Sequence, residues 1–461
     1  MADLLIEGDL ILTMDPDRRM IADGAVAVEG TRIVEVGKAA ELRGRYTSAR
    51  VIPGRSKLVL PGLVNCHTHI FQSLYRGLGD DRPLQDWLRN VVYRLSGGLD
   101  LEGTRAAARL SCLEMIRTGT TTFADCYNMH VDKDGFHGCA EAVEESGLRA
   151  LLARATGDLD PIPEPFREDV PTAVRECERM IERWNGRADG RITICPSPTN
   201  LMTSSNELVR TLKEMASHYK VGCHTHVAST LHNVNFVRKR LGKSYVEYLE
   251  SLGVLGPDLL AAHCACVTDR EIRLMRDTET RVAHCPVANS YLGYGVAPVL
   301  TMLREGVVVG LGTDGAASNN CQDLVQSMKM CAILHKNHML DPSALTAEKV
   351  IEMATIDGAR ALGMADRIGS LEAGKQADII LFDLNRPNMV PSLRPWSNLV
   401  YASGGADVDT VIVGGNVLME KGRVLSLDEG EVMATAQEAI RALVERVGAQ
   451  DLVRAGAWKI Q

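Results

Sequence analysis

From residue 59 to residue 365 the chain repeats one unit: a short apolar run, a turn, an amphipathic stretch, then the next apolar run. The runs are LVLPGLVNC, TTTFADCY, LRALLARA, RITICP, KVGCHTHV, LLAAHC, TRVAHCP and VVVGLGTD, with helical segments such as NELVRTLKEMASHY between them. Neighbouring parallel strands need a long crossover, and a helix is the usual one. Eight such units over roughly 300 residues predict an α/β fold, a (β/α)8 barrel of the TIM type. A doubly wound open sheet is the alternative that repeat count alone leaves standing.

The two ends read differently. Residues 1–58 hold DLLIEGDLILTM and GAVAVEGTRIVEVG, short strands with glycines where hairpins turn. Residues 366–461 hold a matching set, QADIILFDL and DTVIVGGNVLMEKGRVL, before a terminal helix. The expected organisation is a metal-dependent hydrolase barrel over 59–365 and a small β-sandwich domain built from both termini, 1–58 and 366–461. Two separate β-appendages are the alternative.

Several classes of function are excluded by composition. A net charge of −8 and 4% aromatic residues do not suit a nucleic-acid partner, which calls for clustered cations and stacking platforms. No apolar run approaches the roughly 20 residues of a membrane span. The start, MADLLIEGDLILTMDPDRR, lacks the basic region and unbroken apolar stretch of a signal peptide. The twelve cysteines include no C-x-x-C pair and read as free buried thiols. The expected location is the cytoplasm.

The polar residues at the ends of the apolar runs carry the chemistry. His67 and His69 close the first run, two apart, so both side chains can point to one ion. His226 closes the fifth run, His263 the sixth and Asp314 the eighth. Barrel enzymes place their chemistry at these C-terminal strand ends. Nitrogens plus one carboxylate are a normal ligand set for catalytic zinc, with a position left for water. His224 is read as packing, on the side opposite His226, and His284 in RVAHCPVAN as a candidate lining residue. GLGTDG, Gly310 to Gly315, matches a dinucleotide-binding pattern, but no acidic strand end follows at the expected distance, and Asp314 is better used as a ligand.

PGLVNCHTH, GTTTFADCY, LLAAHC, HCPVANSYLGYGVAPV, LGTDGAASNN and EMATIDGARALG resemble the amidohydrolase superfamily, in its branch of triazine hydrolases and of S-adenosylhomocysteine-type and guanine-type deaminases. The resemblance runs from the first barrel strand to the closing β-region, GSLEAGKQADIILFD and VIVGGNVLMEKGR. It implies His67, His69, His226 and Asp314 as ligands of one divalent ion, zinc first, with iron or manganese as alternatives. It implies His263 and Asp314 as the catalytic pair, His263 holding the attacking water or the oxyanion and Asp314 accepting the proton. An ion-bound water with a pKa near 7 instead of 15.7 supplies hydroxide at neutral pH. A homo-oligomer, dimer or tetramer, is also implied.

Three departures narrow the substrate. Family deaminases read H-x-x-E on the fifth strand, where this chain has His226-Val227-Ala228-Ser229. In DDRPLQDWL, Trp87 is available to stack on a planar ring, but Gln85 stands where nucleoside deaminases place a ribose-binding carboxylate. Ser197 and Cys266 stand where histidines are usual. The expected substrate contacts are Trp87, Gln85, Ser229, His284 and Asn289. The expected activity is metal-dependent attack of water on an amidine-like carbon of a small nitrogen heterocycle (triazine, purine or pyrimidine) with loss of an amine. Loss of chloride or a thioether is the alternative, and a metal-binding relative without catalysis a further one.

Overall fold

The structure is a computed structural model describing residues 2–454; Met1 and residues 455–461, the outermost parts of the two expected β-segments, lie outside the described residues. All eight barrel strands are present: β1 (Leu63–Thr68), β2 (Thr120–Tyr127), β3 (Arg149–Thr156), β4 (Ile192–Pro198), β5 (Cys223–Val227), β6 (Leu259–His263), β7 (Arg281–His284) and β8 (Val309–Leu311). They form two parallel half-sheets, β1 to β4 and β5 to β8. Single main-chain bonds join the halves at the rim: Asp314 N–H to His67 O at 2.9 Å, and His226 N–H to Thr199 O at 3.2 Å. The alternation of strands and helices therefore closes as a barrel, and the open sheet is set aside.

The crossover helices form for local reasons. Val170–Trp184 starts at an Asp169 cap that accepts from Thr172 N–H and has a proline in its first turn. It buries Ala173, Cys177, Met180, Ile181 and Trp184, a single stripe at helical spacing.

One apolar run divides in two. LVLPGLVNC reads as a single strand, but Lys57–Pro61 and Leu63–Thr68 are separate strands on either side of Gly62. The first belongs to the terminal domain, pairing antiparallel with Ile379–Asp383 and parallel with Ala2–Leu12. A side chain at Gly62 would run into Thr121, so the sharp passage from sheet to barrel requires glycine there.

The terminal domain is one nine-stranded sheet containing strands from both ends of the chain. Leu4, Ile11, Val26, Val59, Ile379 and Ile412, from strands across that sheet, share one apolar core, so the sheet curls on itself. After it, the helix Glu429–Arg446 returns to the barrel, where Arg109 bonds Glu431 at 2.8 Å and Glu145 at 2.8 Å. Among the described residues no helix is long and apolar enough to cross a membrane. All twelve cysteines are free. GLGTDG does not open a helix; the next one begins at Leu324.

Gly310 in β8 faces Cys66 and Gly358, with no room for a methyl group. Gly310→Ala should lower unfolding free energy by about 1–3 kcal/mol, the usual cost of overpacking, measured by urea denaturation. An unchanged midpoint would mean that β8 is not packed this tightly.

Candidate metal centre and active-site cavity

The expected ligands converge. Asp314 Oδ1 lies 3.4 Å from His67 Nε2 and 3.3 Å from His69 Nε2. Candidate ligand atoms lie within 4.8 Å of one another in two overlapping groups, His67, His69, Asp314 and His67, His226, His263. His69 stands one residue beyond the end of β1, at the start of the helical turn Ile70–Tyr75.

Hydrogen bonds fix the ring orientations. His69 Nδ1–H donates to Cys126 O, and His226 Nδ1–H donates to Thr199 O at 3.0 Å. A carbonyl only accepts, so both rings carry their proton on Nδ1 and turn a bare Nε2 inward. His263 Nδ1 meets Asn289 Oδ1 at 2.9 Å, which leaves its Nε2 free as well. His67 Nδ1 meets His224 Nε2 at 3.0 Å, while His67 Nε2 is buried without a partner. An orphaned buried nitrogen facing a carboxylate and other bare nitrogens fits a divalent cation.

The electrostatics agree. Burial pushes His67 down to about 4, against the opposing pull of Asp314, and burial likewise lowers His69. His226 is held well below the usual histidine range by burial and by His67 and His263. Burial alone would raise Asp314, but the close approach of His67 and the neighbouring imidazoles holds it well below the ordinary carboxylate range. Neutral imidazoles and an ionised carboxylate are the protonation states a metal requires. Ala228 (φ 46°), His263 (φ 70°), Cys264 (φ 47°) and Asp314 (φ 64°) all have left-handed backbone at the rim. Each costs of order 1–3 kcal/mol and is held by its surroundings.

Above the donors is a cavity of about 230 Å³. Trp87, Gln85 and Ser229 line it, as do Tyr294, Asn200 and Asn233, which sequence reasoning did not single out. Trp87 is anchored by donating Nε1–H to Ala317 O at 3.0 Å. Leu84 to Tyr93 form a lid segment that passes from α-helix into a π-helical turn, a form frequent at functional sites. Among the described residues that line it, Asp314 is the only carboxylate.

Other expectations are corrected by the structure. His284 does not line the cavity; it is buried with Nε2 3.2 Å from His335 Nε2. Asn289 does not line it either, being occupied with His263. His224 is not on the far side from His226. Residues two apart share a face, and the His224 ring stacks on His67 with centroids 4.9 Å apart. It packs, as expected, but against His67, a candidate ligand, in the layer below His226. Ser197 Oγ accepts from His224 N–H at 3.0 Å, and Cys266 Sγ donates to Tyr294 O at 3.7 Å.

The amidohydrolase family profile matches residues 58–418. The chain is 41% identical over 450 residues to a 5'-deoxyadenosine deaminase of Methanosarcina acetivorans, covering 97% of this chain and 100% of that one. In structure it is similar to an adenosine deaminase from Xanthomonas campestris with bound zinc (TM-score 0.91, 30% identity, 96% and 99% of the two chains). It is also similar to a mutant atrazine chlorohydrolase of Arthrobacter aurescens complexed with zinc and atraton (TM-score 0.90, 28% identity, 95% and 100%).

Metal analysis of purified variants tests the centre. His67→Ala and Asp314→Ala should lose the tightly bound ion, whereas His263→Asn should retain about one per chain with kcat reduced by about 10²-fold or more. Loss of the ion from His263→Asn would make that residue a ligand. His224→Leu should weaken metal affinity about 10–100-fold, as removal of a ligand's supporting hydrogen bond does; unchanged affinity would reduce it to filler.

Proposed function

The chain belongs to the amidohydrolase family, and we propose that it removes the amino group from an amidine-like carbon of a compact nitrogen heterocycle, using one zinc ion held by His67, His69, His226 and Asp314. The observation that carries this reading is the convergence of those donors, with His263, at the floor of a cavity that holds no other carboxylate among the described residues. Its volume of about 230 Å³ is below the 300–1,000 Å³ typical of sites for drug-sized ligands, which favours a single small ring system. Nucleosides are named for relatives of this chain. Here Gln85, a carboxamide, lines the cavity where the family resemblance implies a ribose-binding carboxylate, and a neutral acceptor holds a hydroxyl more weakly than a charged one.

A divalent ion in this nest supplies acidity, bringing bound water toward deprotonation near neutral pH. The chain's own groups do the rest. Asp314 Oδ1 is tied to Gly315 N–H at 2.8 Å, which leaves Oδ2 to take the water's proton. His263, fixed through Nδ1 by Asn289, presents Nε2 to the same point and holds the oxygen as it bonds to carbon. Trp87 offers its face to the ring, and the apolar lid residues Leu84, Leu88 and Val92 keep water away. The lack of a second carboxylate also favours, as a second reading, a leaving group such as chloride that departs without a proton. Twelve free thiols suit a reducing compartment, and we place the enzyme in the cytoplasm.

Purines, pyrimidines and triazines should be screened while ammonia and chloride are monitored together. Ammonia release from free bases, lost on chelation and restored by zinc, is the expected result; zinc-independent turnover would refute the reading. Gln85→Glu should raise kcat/KM for a nucleoside relative to its free base by about tenfold, the worth of a hydrogen bond to a charged group.

A further inference from the structure

Among the described residues the cavity contains no general acid of the usual kind: Ser229 occupies the glutamate position of the H-x-x-E pattern, and Asp314 is the single carboxylate. A departing amine still has to be met by a donor. Tyr294 is placed to be one. Its ring stands edge-on to His263, with centroids 5.6 Å apart and an interplanar angle of 79°. Its hydrogen bonds are main-chain: N–H to Asn289 O at 2.8 Å, and its carbonyl accepting from Cys266 Sγ. The hydroxyl has no partner among the described residues, and the side chain lines the cavity.

The local sequence aims the ring. Gly293 (φ 66°) and Gly295 (φ 100°) flank Tyr294, both in the region that favours glycine, so the turn bends on either side of the aromatic residue. Asn289 anchors both partners, since its backbone oxygen holds Tyr294 N–H and its side chain holds His263. Other cavity phenols are less suited. Tyr245 OH is already spent on His226 O at 3.1 Å and Leu201 N–H at 3.0 Å. Tyr93 stands on the lid and packs against Phe166, with centroids 5.4 Å apart. Burial raises the Tyr294 phenol, which keeps its proton at neutral pH.

We propose that Tyr294 is a catalytic residue whose hydroxyl donates a hydrogen bond to the leaving-group nitrogen of the tetrahedral adduct. This rests on the aminohydrolase reading above. Water oxygen bonds to the ring carbon, the C=N electron pair moves to the ring nitrogen, and that nitrogen takes one of the water's protons. The other, held by Asp314, is passed to the Tyr294 hydroxyl as that hydroxyl gives its own proton to the amine lone pair and the C–N bond breaks, so ammonia leaves, a C=O remains and Tyr294 ends protonated. In the substrate the amine lone pair is delocalised into the ring and accepts poorly. At the sp³ carbon of the adduct it is localised and accepts well. The contact therefore strengthens on the way to the transition state, and it acts on kcat rather than KM.

The test compares zinc-loaded wild type and Tyr294→Phe on one ring carrying graded leaving groups: alkylamino, trifluoroethylamino and chloride. For Tyr294→Phe, kcat should fall about 10²-fold with the most basic amine, less with trifluoroethylamine and not at all with chloride. Zinc content, Tm and KM should hold. An unchanged kcat on amines, an equal loss across the series, or a change in KM alone would overturn the assignment. A wild type that releases chloride but no amine would overturn the aminohydrolase reading itself and this role with it. Failure of the inference alone appears only in the variant.

Discussion

The bond from Asp314 N–H to His67 O, 2.9 Å long, closes the barrel between its last strand and its first, and it joins two of the candidate metal ligands through their own backbones. The opposite seam is closed in the same way, by His226 N–H on Thr199 O. Each half-sheet thus delivers part of the candidate ligand set, and they come together only where the barrel shuts. A buried polar network backs the first seam. Asn65 bonds Thr313 Oγ1 at 2.8 Å, Gln322 Oε1 accepts from Thr68 at 2.7 Å and from Thr313 at 3.0 Å, and Asn319 bonds Thr313 O at 2.7 Å. Inside a protein such satisfied networks rigidify, and unsatisfied ones are costly, so the rim is held in one geometry.

That rigidity fixes which nitrogens face the candidate metal site. Each histidine at the centre has its Nδ1 engaged, so no ring can rotate to present the other nitrogen without breaking a bond. Imidazoles with one carboxylate favour zinc-like ions over magnesium or calcium, which prefer all-oxygen surroundings. The left-handed backbone at His263 and Asp314 is the cost of turning both side chains inward from strand ends.

Much of this was legible in the sequence because period and position carry it. Strand ends could be read from apolar runs, and the convergence of His67, His69, His226 and Asp314 follows once the runs are arranged in a barrel. What was not legible depended on depth and on turns. Gly62 ends one strand and begins another inside an uninterrupted apolar run, and hydropathy does not register such a break. The face of His224 was obtainable from its spacing to His226, but that two layers of histidine stack there depends on the barrel's interior. His284 and Asn289 lie in a motif near the site, yet one turns toward His335 and the other toward His263. Tyr294 carries only one local signal, the glycines on either side of it.

The strand Lys57–Pro61, which feeds directly into the barrel, lies between Ala2–Leu12 and Ile379–Asp383. During synthesis one edge of that strand has no partner until roughly 300 residues more have been made, a pairing as non-local as any in slow-folding proteins. The nascent chain therefore carries an open, apolar strand edge while the whole barrel emerges, the kind of surface that invites wrong pairing. The small sheet is complete only when residues 379–424 join residues 2–61, so a later-made segment locks down an earlier one, and a chain halted between them leaves a barrel with its entry strand unprotected.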